Sequence, residues 1–130
     1  MAYWFPAMRA AGAVLGGLVV WVVVATLLNL ALRLGWPDYA AVEKSMNFTL
    51  GMLAARLAIG ALASLGAGFA AAWISRRKPI AVWVLVILLL ALFVPLHYTL
   101  WQRFPAWYHA AFIVSLVIFT LLGAMRRIPR

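Results

Sequence analysis

The sequence predicts an all-α integral membrane protein: four transmembrane helices in an up-down-up-down bundle, with both termini on the cytoplasmic side. Three observations predict it. The chain is 68% hydrophobic over 130 residues, with a mean hydropathy of +1.07, where a soluble domain is about 45–50% apolar. A chain this short has too little interior to bury that excess. The apolar residues also gather in four long runs, and the basic residues cluster unevenly at the ends of those runs. The whole chain therefore reads as one four-helix transmembrane domain, 1–130, with spans at about 10–32, 48–75, 80–101 and 107–125.

The first span, from Ala10 to Leu32, carries no charge between Arg9 and Arg33. At a rise of 1.5 Å per residue it is roughly 35 Å long, enough to cross a hydrocarbon core of about 30 Å. Signal peptides have an apolar region of only about 7–15 residues and a small-residue cleavage site, so this run reads as a retained helix. The second span, Phe48 to Ser75, holds one charge, Arg56. Its nine strongly apolar side chains favour insertion by roughly 3–5 kcal/mol, and an Arg at the membrane centre costs about 2.5–3.5. Insertion of this span alone is marginal, so it depends on its neighbours. The third span, Ile80 to Trp101, contains Pro95, which has no N–H to give and frees the carbonyl of Ala91 one turn earlier. The fourth runs from Trp107 to Met125, and Pro37, Pro79 and Pro105 mark the connections.

Orientation follows from the basic residues. Seven of them, Arg9, Arg76, Arg77, Lys78, Arg126, Arg127 and Arg130, fall on one side; Arg33, Lys44 and Arg103 fall on the other with both acids, Asp38 and Glu43. The positive-inside rule places the first group in the cytoplasm, which suits a bacterial inner membrane. Trp36, Trp101, Trp107 and Tyr108 are the expected anchors at the outer interface, while Trp21 lies mid-span and reads as an apolar packing residue.

Composition excludes several functions. The net charge of +9 is spread over the ends of apolar runs and makes no basic stripe, so it suits anionic lipid head groups rather than nucleic acid. The absence of cysteine removes thiolate metal sites, iron–sulfur clusters and thiol redox chemistry. No cofactor and no resident metal is expected. His97 and His109 lie twelve residues apart across a short hairpin and can approach one another, but two imidazoles fall short of the three or four protein ligands a zinc site uses. They read as histidines satisfied near the interface.

The residues that remain are in the second span. Arg56, Gly60, Ser64, Gly68 and Ala72 recur at intervals of four and form one stripe on a helix. Such small-residue stripes mark helix-packing faces, as does the pair Gly12 and Gly16 in the first span. Arg56 then points at another helix. Asn29, His97 and the freed Ala91 carbonyl share its depth, and Thr49 lies on its face. Glu43 is about 20 Å away if the helix extends back to it. Two readings result: a polar pocket of Arg56, Asn29, Thr49 and His97 that holds an anionic group, or an Arg that clamps helices together. The sequence favours the clamp.

No motif points to a family, and no nucleophile–base or metal constellation marks a catalytic residue. The leading expectation is a non-catalytic accessory, assembly or small-ligand- and lipid-binding protein. Its partners are the bilayer with its anionic head groups and either further copies of itself or a larger membrane complex. An oligomeric transporter or channel with Arg56 lining its site comes second, and an enzyme acting on lipid or quinone third.

Overall fold

A computed structural model describes residues 4–76 and 79–125, with side chains from residue 8 onward. Arg77, Lys78, Arg126, Arg127 and Arg130, on which the orientation argument leans, lie outside the described residues, as does the side chain of Trp4. The described residues form helices and turns: α1 (Trp4–Gly35), α2 (Pro37–Val42), α3 (Leu50–Ile74), α4 (Pro79–Thr99), a 3-10 turn (Trp101–Arg103) and α5 (Ala106–Met125). Four of these helices are long and apolar enough to cross a membrane.

The boundaries follow from local chemistry. α1 stops before Trp36, which takes an extended φ of −136°. A residue preceding proline is pushed out of the helical region, and Pro37 then starts α2 at a position where its missing N–H costs nothing. α2 is an addition to the four expected helices. Thr49 caps α3: its hydroxyl accepts from the Met52 N–H at 3.3 Å, and Met52 Sδ accepts from the Thr49 N–H at 3.5 Å. α3 ends at Ser75, whose N–H bonds the Ala71 carbonyl at 3.0 Å, and Arg76 turns the chain with a positive φ of 56°. α4 runs through Pro95 without ending.

Small side chains let the helices approach closely. On α3, Ala63, Ala67 and Ala71 are fully buried, against Trp21 of α1, Leu85 and Leu89 of α4 and Leu116 of α5. A methyl added at Gly68 would collide with the Thr120 carbonyl of α5, and one at Gly123 with that of Leu65. A methyl at Gly17 of α1 would lie 2.6 Å from Leu85 and 3.0 Å from the Ala67 carbonyl. A methyl added at the expected contact residue Gly12 meets nothing within 4 Å among the described residues; Gly16, facing Ile74, and Gly17 fill that role one turn later. Gly60 faces the Phe112 ring, and Ser64 accepts a hydrogen bond from Trp21 Nε1 at 3.1 Å. Trp21 is therefore a polar contact as well as a packing residue. The faces turned away from these contacts stay apolar, with Leu15, Val19, Leu27, Ile87, Leu92, Val114 and Ile118 all exposed. A surface of that kind needs an apolar surrounding.

Candidate functional site

At the end of the helices next to α2 lies a cleft of about 300 Å³ that all four long helices line. Its apolar wall is Trp21, Ala25, Phe93, Leu96 and Phe112, and its polar wall is Asn29, Arg33, Arg56, His97 and Tyr108.

Arg56 is the centre of the polar wall. Its Nη1 donates to the Tyr39 phenol at 2.8 Å and its Nε to the Tyr108 phenol at 3.3 Å, while the guanidinium lies over the Phe48 ring, 4.8 Å from its centroid. Tyr39 in turn donates to Asn29 Oδ1 at 2.9 Å, and Asn29 Nδ2 donates to Glu43 Oε2 at 3.0 Å. Arg33 Nε donates to the other Glu43 oxygen at 2.6 Å. The single acid of this network is thus matched by Arg33, whose hydrogen bond is the main reason the Glu43 carboxyl titrates below the usual carboxylate range. Arg56 is left with phenols and a ring face, all neutral. Nη2 of Arg56 has no hydrogen-bond partner among the described residues and is not fully buried, and Arg56 is one of the residues lining the cleft.

The histidines meet. His97 Nδ1 lies 2.7 Å from His109 Nδ1, with the rings perpendicular, and both residues are buried. His109 Nε2 approaches the Trp101 carbonyl at 3.3 Å, and the Trp101 indole stacks on the His109 ring. A carbonyl only accepts, so Nε2 of His109 carries a proton. In the neutral pair His109 Nδ1 is then an acceptor, and His97 Nδ1 must be the donor. His97 Nε2, with no partner among the described residues, is left as a lone pair that is not fully buried, on a residue that lines the cleft. Among the described residues no group of three or more His, Cys, Asp or Glu side chains is placed to hold a metal ion.

The structure brings together three of the four expected pocket residues, Arg56, Asn29 and His97. Thr49 stands apart as the cap of α3. Tyr108, expected as an interface anchor, is 2% exposed and faces Arg56. Trp101 and Trp107 are about half exposed, and Trp36 is intermediate. Glu43 reaches the network because α2 folds the chain back onto α1, a route the straight-helix distance does not contain. Tyr39 and Tyr108 are the partners that sequence reasoning missed. A signal existed for each: Pro37 followed by Asp38 is a helix-start pattern that positions Tyr39, and Phe104, Tyr108, Phe112, Leu116 and Thr120 recur every fourth residue, all on a buried face.

Comparison with protein-family models, with curated proteins and with solved structures finds no match for this chain.

Proposed function

We propose that this is a non-catalytic lipid- or ligand-binding protein of the bacterial inner membrane, whose cleft holds an anionic head group on an apolar chain. In this reading the four long helices form an up-down-up-down bundle with cytoplasmic termini, and the α2 end faces outward. Arg56 lies six residues into α3, roughly 9 Å along the axis, at the depth where head groups give way to acyl chains. The observation that carries the reading is an Arg with no acid to match it, partly spent on phenols and otherwise open to a cleft with an aromatic and aliphatic wall. A volume of about 300 Å³ lies at the lower end for small-ligand sites and suits a single chain. An Arg serving only as a clamp would have its remaining donors closed off by carbonyls or side chains.

The test is equilibrium binding of a radiolabelled monoacyl phosphodiester lipid, lysophosphatidylglycerol, to protein in non-ionic detergent. Saturable binding that the matching monoacylglycerol fails to displace supports the reading. Arg56→Gln should weaken it about 10- to 100-fold, the range of charge-assisted hydrogen bonds. Equal binding by the variant, or full displacement by inorganic phosphate, removes the case for an amphipathic anion.

A further inference from the structure

We propose that the cleft takes up its anion together with one proton, which settles on Nε2 of His97 and is supported through the His97–His109 bond. The inference rests on the anionic-ligand reading above and deepens it.

The anion in question is an ionised phosphodiester. All its free oxygens are acceptors. Arg56 and the Tyr108 hydroxyl present it with donors, but the neutral His97 presents a lone pair. Acceptor facing acceptor is repulsive in a cleft with an apolar wall. One proton from the medium turns Nε2 into a donor. The Nδ1 bond survives that change, because His97 Nδ1 already donates to His109. It becomes a charge-assisted bond and strengthens. A further proton on His109 Nδ1 would set two donors against each other, so the pair accepts one proton and no more.

The surroundings couple the two events. His97 is met by Tyr108 and His109 from α5, and it shares the cleft with Arg56 from α3 and Arg33 from α1. Glu43, beyond Asn29, is already ion-paired with Arg33 and stays ionised at neutral pH. A second positive charge beside Arg56 is unfavourable when the cleft is empty and favourable when an anion lies between the two. Proton and anion therefore raise each other's affinity, as linkage requires. The charge balance closes: one anion and one proton enter, and the net charge of the cleft is unchanged.

Calorimetry tests this with wild-type protein in non-ionic detergent, near neutral pH, in two buffers of different ionisation enthalpy. The probe is lysophosphatidylglycerol, whose phosphodiester does not itself titrate there. The expected result is an uptake of about one proton per lipid, with affinity falling by up to about tenfold per pH unit as pH rises. His97→Gln should abolish both the uptake and the pH slope, whatever affinity it keeps. Lipid binding without proton uptake in the wild type overturns the inference and leaves the anionic-ligand reading standing. Uptake that persists in His97→Gln also overturns it, because the proton then goes elsewhere. No binding of the lipid at all overturns both. The proton count in the wild type decides even if the variant does not fold.

Discussion

Gly68 and Gly12 both lie on small-residue patterns, yet their surroundings differ. An added methyl at Gly68 meets the Thr120 backbone, which cannot move aside without separating α3 from α5. Gly68→Ala should cost about 1–3 kcal/mol by overpacking. Gly12→Ala, with nothing within 4 Å, should stabilise by about 0.5–1 kcal/mol, because alanine loses less backbone freedom in a helix. Thermal unfolding in detergent reads both, and a shared sign would refute the packing assignment. Ser64→Ala removes the acceptor of Trp21 Nε1, for which membrane hydrogen bonds suggest a loss of about 0.6 kcal/mol. At this scale the sequence was informative where periodicity did the work: Gly60, Ser64 and Gly68 are all buried at helix contacts. It was less so where two spacings competed. Gly12 and Gly16 fit the small-xxx-small pattern, but Gly16 meets only the tip of the Ile74 side chain, while Gly17, one residue on, also meets the Ala67 backbone carbonyl. A one-residue shift is a rotation of about 100° on a helix, and only the partner's position decides it.

Among the elements, α2 is the one whose existence the sequence left open, and it completes the site. Six residues are too few to show a helical period, and the Pro37–Asp38 start is a weak sign beside four apolar runs. α2 buries Tyr39 fully and is held to α1 through Glu43, which bonds Arg33 and Asn29. The Glu43 carboxyl is held below its ordinary value, chiefly by Arg33. Its contribution is therefore fully present above the ordinary carboxylate pKa of about 4.3, and it fades as pH falls through the lowered value. The protection of residues 38–43 against hydrogen exchange, taken relative to the unstructured chain at the same pH, should fall on acidification below about pH 4, while that of the α3 core stays high. Glu43→Gln should show the lower protection already at neutral pH and no further acid dependence from this group. If exchange of this segment in wild type and variant is alike at neutral pH, the ion pair does not hold α2. α4 offers the opposite lesson. Pro95 lies inside α4 as expected, but the freed Ala91 carbonyl is not the partner of Arg56; the phenols of Tyr39 and Tyr108 take Arg56 instead.

For the whole molecule, the four apolar helices were legible because composition and run length carry them without any tertiary information. The cleft was legible only in part: Arg56, Asn29 and His97 share a depth on their spans and do line it, but the space between them is set by the sum of side-chain volumes at the helix contacts. Helices crossing a membrane four times place α2 and the Trp101–Arg103 turn, and with them the Arg56 cleft, on one side, and the orientation proposed above makes it the outer side. The chain has no cysteine, so single substitutions can be labelled without background. The most direct measurement is reaction of intact cells with a membrane-impermeant maleimide, using Asp38→Cys, Gln102→Cys, Arg76→Cys and Arg130→Cys. The account predicts labelling of the first two in intact cells and of the last two only after the cells are opened. Asp38→Cys protected while Arg130→Cys is labelled from outside, or the two connections found on opposite sides, would contradict it.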